Sequence, residues 1–255
     1  MMKNKRLTTI ISYGIILAVI LGIVLVIQYL HDRGIYYPGI IYESDAETYY
    51  QISPLIILEE LNIGKTSVFK HVDPSSDAKA TPYPPGSFPW RQSDYLLIAN
   101  TLNQLELKEL SEWKIYGMVF DKGCRNEPVG FDSAEITYFR YDGQQGSYRI
   151  HQINISPNSQ EVSFKEKGGF QRPLFGWKSI NSSTLFVSAD AALQKAEENG
   201  GEEFRSKLNN ACDIIVVSKP STGGNNWLVS YRASSRTDNF RIHINLYTGW
   251  YNIPD

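Results

Sequence analysis

Cysteine and histidine are scarce in this chain, with two and four in 255 residues. The two cysteines, Cys124 and Cys212, form no C-x-x-C pair, so a cysteine-built zinc module is excluded. Glycine signatures for phosphate are missing too. The closest stretch, "STGGNN" (221–226), is short and lacks the lysine a nucleotide cradle needs. No G-x-S-x-G elbow marks an acyl-transfer nucleophile. Basic charge is also lacking. Lys3, Lys5 and Arg6 are the only charged residues before Asp32, and the rest of the chain carries 22 basic against 27 acidic side chains. That balance supplies no basic face, and nucleic acid is excluded as a partner.

The longest charge-free stretch is residues 7–30, "LTTIISYGIILAVILGIVLVIQYL". As a helix rising about 1.5 Å per residue it would reach roughly 36 Å, enough to cross a hydrocarbon core of about 30 Å. Tyr13 and Tyr29 offer interfacial rings, and the basic residues before the span place the N-terminus in the cytoplasm. A cleaved signal peptide would have a shorter apolar run ending in small residues, and "VIQYLHDRG" offers no such site. The reading is a single-pass signal anchor, with residues 1–6 cytoplasmic and the bulk of the protein outside. That location permits a disulfide between Cys124 and Cys212, and two unrelated half-buried thiols remain the alternative.

Residues 31–92 read as a stalk and linker. They are aromatic-rich at first, with a strand or extended stretch and then a short helix. Residues 73–90 hold five of the twelve prolines and sustain neither a helix nor an inner strand. Their "PYPPG" core suits polyproline II, though a plain connector is the commoner use of such a stretch.

Two regular blocks follow. In 93–165, Ser93 and Asp94 precede a helix with an apolar stripe through Leu96, Ile98, Ala99, Leu102, Leu105 and Leu110. Strand candidates lie at 113–120, 134–141 and 148–155, the last two joined by the turn sequence "DGQQGS". After a linker at 166–185, block 186–255 repeats the order. Ser188 caps a helix with Ala192, Leu193 and Ala196 on one side, acidic residues in solvent and Gly200-Gly201 as its stop. Strands at 212–219, 226–234 and 240–247 complete it. "YRIH" (148–151) and "FRIH" (240–243) fall in the third strand of each block. The predicted architecture is α+β: an N-terminal transmembrane helix and two helix-plus-three-stranded antiparallel units, joined edge to edge or packed with their helices on one side.

The second block resembles the PepSY family. Ala192 and Ala196 on the helix, Trp227 and Val229 in the second strand, and Thr248-Gly249 after the last match that family's pattern, over about residues 186–255. Asn245 stands where the family has Asp, and block 93–165 is a more diverged copy. The resemblance implies an extracytoplasmic, non-catalytic domain associated with protease propeptides and inhibition at the cell envelope.

Alternation in "FRIHINLY" sends Phe240, Ile242, Ile244 and Leu246 to one face, and Arg241, His243 and Asn245 to the other. His243, and His151 by analogy, are expected on a solvated face beside arginines, where a metal cation is disfavoured. Glu197, Glu198, Glu202 and Glu203 read as a solvated acidic face. No catalytic, cofactor or metal residues are assigned. The candidate interaction surface is Tyr231, Tyr247, Trp250 and Tyr251, against the alternative that these rings pack the helix or the other block. The sequence thus favours a bacterial-type, single-pass membrane protein that binds an envelope protein or protease. The alternatives are an envelope hydrolase with an unrecognised site and a structural subunit of an envelope complex.

Overall fold

A computed structural model describes residues 16, 19–27, 42–51, 60–67, 69–72, 90–106, 113–125, 130–142, 147–157, 161–171, 179–181, 185–219, 225–233 and 239–254. Ten strands are assigned: β1 (Tyr42–Gln51), β2 (Lys70–Val72), β3 (Lys114–Gly123), β4 (Ser133–Asp142), β5 (Ser147–Ser156), β6 (Glu161–Gln171), β7 (Cys212–Ser218), β8 (Asn226–Ala233), β9 (Asn239–Asn245) and β10 (Tyr251–Asn252). The helices are α1 (Gln92–Glu106), α2 (Ala189–Ala196) and α3 (Glu202–Lys207), the last two joined by a π-helical turn at Glu197–Gly201.

All ten strands form one antiparallel sheet in the order β10-β9-β8-β7-β3-β4-β5-β6-β1-β2. This corrects the expected architecture. There are not two three-stranded units: β3 pairs with β7 from Met118↔Ser218 to Gly123↔Asp213, merging the blocks. The reason is the edge. The first strand of a small sheet leaves a row of backbone donors and acceptors unpaired, and pairing the two edges satisfies both rows at once. Each block also has a fourth strand, β6 or β10. Residues 42–72, expected as stalk, contribute β1 and β2 beyond β6. Among the described residues no helix is long and apolar enough to cross a membrane. Most of the expected span 7–30 lies outside those residues. Within it, residues 19–27 are helical, with exposed apolar side chains such as Ile20, Leu21 and Leu25. The proline-rich residues 73–89 also lie outside the described part.

The helices share one face of the sheet and one core. Tyr95, Ile98, Ala99 and Leu102 of α1, and Ala189, Ala192, Leu193 and Ala196 of α2, join Met118, Phe120, Ile136, Ile153, Val216, Val229 and Ile242 from the strands. Their N-termini are cross-capped. The Gln92 backbone N–H donates to Asp190 Oδ2 at 3.0 Å, and the Ala189 N–H donates to Gln92 Oε1. Each interaction satisfies a backbone donor that a helix start leaves without a partner. Ser188 accepts from the Ala191 N–H as the N-cap of α2. At α1, Asp94 reaches back to the Arg91 N–H, so that helix begins slightly earlier than the sequence suggested.

Gly200-Gly201 does not stop the second helix. It bends, with Gly200 at φ 116°, and continues to Lys207. The bend admits Tyr231, whose ring lies so close that a Cβ on Gly201 would stand 2.5 Å from its hydroxyl oxygen. The Tyr231 hydroxyl donates to Glu197, which also accepts from Arg205 Nε at 2.7 Å. Glu197 is therefore no part of a solvated acidic face, whereas Glu198, Glu202 and Glu203 are exposed or partly so. Burial and the Glu197 carboxylate push the Tyr231 phenol far above its ordinary pKa and keep it neutral.

A candidate binding surface and a buried histidine

β9 ends in a tightly held turn. The Asn245 side-chain oxygen accepts from the backbone N–H groups of Tyr247 and Thr248, at 3.0 and 2.9 Å. The Gly249 N–H donates to the Asn245 carbonyl at 3.0 Å, and the Asn245 N–H to that of Trp250 at 2.7 Å. A carboxamide oxygen serves this Asx turn as well as a carboxylate would, so Asn245 needs no replacement by Asp. Gly249 sits at φ 69°, in the left-handed region that glycine adopts without strain.

The segment before α2 is strapped to this turn. Phe186 and Val187 both donate their N–H to the Leu246 carbonyl, at 3.1 and 3.0 Å. Lys195 donates to the Gly249 carbonyl and sits 5.0 Å over the Tyr251 ring. Leu246 is buried as the anchor. The remaining large side chains have no inward slot: Phe186 is 75% exposed, Trp250 69%, and Tyr247, Tyr251 and Ile253 are exposed as well. A fixed backbone thus presents exposed aromatic and aliphatic side chains at this corner, with Lys195 over the Tyr251 ring. The corner's chemistry is apolar contact, ring stacking and cation–π attraction.

Three of the four predicted surface residues, Tyr247, Trp250 and Tyr251, lie in this corner. Tyr231 does not. It is fully buried under the bent helix, since residue 231 falls on the helix-facing side of β8 with Trp227 and Val229. Phe186 and Ile253 were not read from the sequence. The available signal was Phe186 itself: Val187 fills the apolar position before the N-cap, which leaves the preceding ring without a helix to pack on.

His151 is the larger correction. It was expected on a solvated face but is completely buried. In β9, Phe240 and Ile242 face the helices; in β5, Tyr148 and Ile150 face away and pack with Tyr116 and Phe139 on the other side of the sheet. The helix-facing residues of β5 are His151, Ile153 and Ile155. "INI" (153–155) and "INL" (244–246) therefore correspond in facing, one residue out of step with "YRIH" and "FRIH". Because strand side chains alternate, that single step exchanges the faces.

His151 stacks on Trp113 with ring centroids 3.7 Å apart, and its Nδ1 lies 3.1 Å from Asn103 Oδ1. With Nδ1–H donating to that amide oxygen, Nε2 carries the lone pair. Burial, aided by Arg149 and Arg140, pushes the His151 pKa down to about 3. Glu166 stands 3.8 Å from Nε2, yet its carboxylate is engaged by Arg149, which is why it does not hold a proton on the ring. The histidine is neutral at physiological pH. Among the described residues no group of three or more His, Cys, Asp and Glu could hold a metal ion.

Cys124 and Cys212 are joined by a disulfide, with Cα atoms 5.2 Å apart and the two positions 88 apart in sequence. The Cys124 N–H also donates to the Cys212 carbonyl at 3.0 Å. The bridge thus closes the end of the central β3–β7 pair.

The protein is thus a broad antiparallel sheet backed by helices on one face, with an aromatic corner at one edge. No protein-family model, curated protein or solved structure matches the chain.

Proposed function

We propose that this protein is a non-catalytic binding or regulatory protein, tethered to a membrane by its apolar N-terminal run, that engages an envelope protein through the corner formed by Phe186, Tyr247, Trp250, Tyr251 and Ile253. The observation that carries the reading is the exposure of Phe186 and Trp250 on a turn held by its own hydrogen bonds. Large rings in water on a fixed backbone are poorly explained by folding, and rigid aromatic anchors are the usual centre of a protein interface. The PepSY resemblance of residues 186–255 supports a regulatory role, with inhibition of an envelope protease as its most specific form. The charge-free run 7–30 and the basic residues before it support placement of the sheet outside the cytoplasm.

The test uses the tagged full-length chain, purified from solubilised native membranes beside a Phe186→Ser/Trp250→Ser variant. A stable partner should accompany the wild type and be lost from the variant, while the variant's melting temperature stays close to wild type. Equal capture by both chains, or hydrolytic turnover by the wild type in a broad substrate screen, overturns the reading.

A further inference from the structure

The corner continues into the outer edge of β9. Asn245 donates its N–H outward to Trp250, and backbone groups alternate sides along a strand, so His243 and Arg241 direct theirs outward too. β10 covers only part of that edge, with Tyr251 opposite Ile244 and Asn252 opposite His243. Going back along β9, Arg241 is the first residue whose outward N–H and carbonyl meet no strand among the described residues. Its side chain is exposed on the face away from the helices, across from Ser230. Arg232, also exposed, is its diagonal neighbour on that face; Arg232 has Asp213 directly across and Asp121 within electrostatic reach, which leaves Arg241 as the cation nearest the edge. On the helix side, Phe240 is half-buried against Phe204 and Tyr231, leaving part of its ring for a neighbour to cover.

We infer that this edge accepts an extended peptide segment of the partner protein as an added strand, one in which acidic and apolar side chains alternate. This rests on the binding function proposed above. Main-chain hydrogen bonds to Arg241 and Asn239 set the register. Because side chains alternate, one set of the incoming residues lies beside Arg241 and Arg232 and the other beside Phe240. The first set is acidic to pair the guanidinium groups; the second is apolar. A second copy of this chain is a poor occupant, since pairing β9 with β9 around this point sets two Arg241 side chains together on one face.

The experiment measures binding of fluorescent synthetic peptides to the full-length protein in detergent micelles. The peptides are alternating Asp-Val, alternating Lys-Val, and Asp-Val with its strand-facing amides N-methylated. The wild type should favour Asp-Val over Lys-Val by roughly tenfold or more at low salt and fail to bind the methylated peptide. Arg241→Glu should reverse the charge preference. Arg241→Pro should abolish binding while the β8–β9 amides keep their hydrogen-exchange protection, because the lost N–H points away from β8. If that variant fails to fold, the methylated peptide decides. Equal binding of the acidic and basic peptides, no peptide binding, or undiminished binding of the methylated peptide overturns the inference. Partner capture that depends on Phe186 and Trp250, with peptides indifferent to Arg241, sinks the added strand alone. Capture indifferent to the corner sinks the function itself.

Discussion

His151 shows how much rides on one residue's facing. The unfolded chain takes up a proton near the ordinary histidine value of about 6.5, whereas the folded protein resists it until about 3. Acid therefore favours the unfolded chain. The stabilisation is complete above about pH 6.5 and lost as pH falls toward 3, and a difference of this size is worth on the order of 4 kcal/mol. Melting temperature measured from pH 7 to pH 4 should fall steeply in the wild type and less steeply in His151→Gln. Gly201 is a second sensitive point. A Cβ there would overlap Tyr231 Oη and Cζ, so Gly201→Ala should destabilise the protein by about 1–3 kcal/mol in denaturant titrations. Neither residue was legible in the sequence. His151 shares a four-residue phrase with an outward-facing histidine, and phrase similarity says nothing of register when one step reverses the face. Gly201 reads as a helix stop because a glycine needed for close approach and one needed for a positive φ look alike in sequence.

At the scale of elements, local patterns predicted well where one element decided its own fate. The Ser188 N-cap, the Ala192-Leu193-Ala196 stripe and the positive φ of Gly249 follow from capping, periodicity and turn chemistry. β6 was missed. Val162 and Phe164 alternate toward the core, but the lysines and the glycine pair that follow look like linker composition. The β3–β7 pairing was open in the sequence, because nothing local tells an edge which other edge it will meet. The disulfide sits at the end of that pair. It closes a long loop, so by chain entropy alone it stabilises the folded state by about 4–5 kcal/mol, an upper figure where the reduced chain keeps structure. Reduction, or Cys124→Ser with Cys212→Ser, should lower the melting temperature and weaken hydrogen-exchange protection first at β3 and β7.

For the whole molecule, one sheet with a shared helical layer explains what two small sheets would not. Joining them buries both helices in a single core, and among the described residues the sheet ends in two short strands, β2 and β10. The exposed corner then stands out because several large exposed side chains fall within one short stretch and its neighbouring turn. Three of its five members were readable from the sequence because they cluster after the last strand; Phe186 joins them only through the fold. This corner is the proposed meeting place of the protein and its partner. The most direct measurement replaces Trp250, in the full-length chain in living cells, with a photo-crosslinking phenylalanine analogue, and repeats this at exposed Ile63 as a control. One dominant adduct with an envelope protein is expected from position 250 and none from position 63. No adduct from position 250, or the same adducts from both positions, would contradict the proposal.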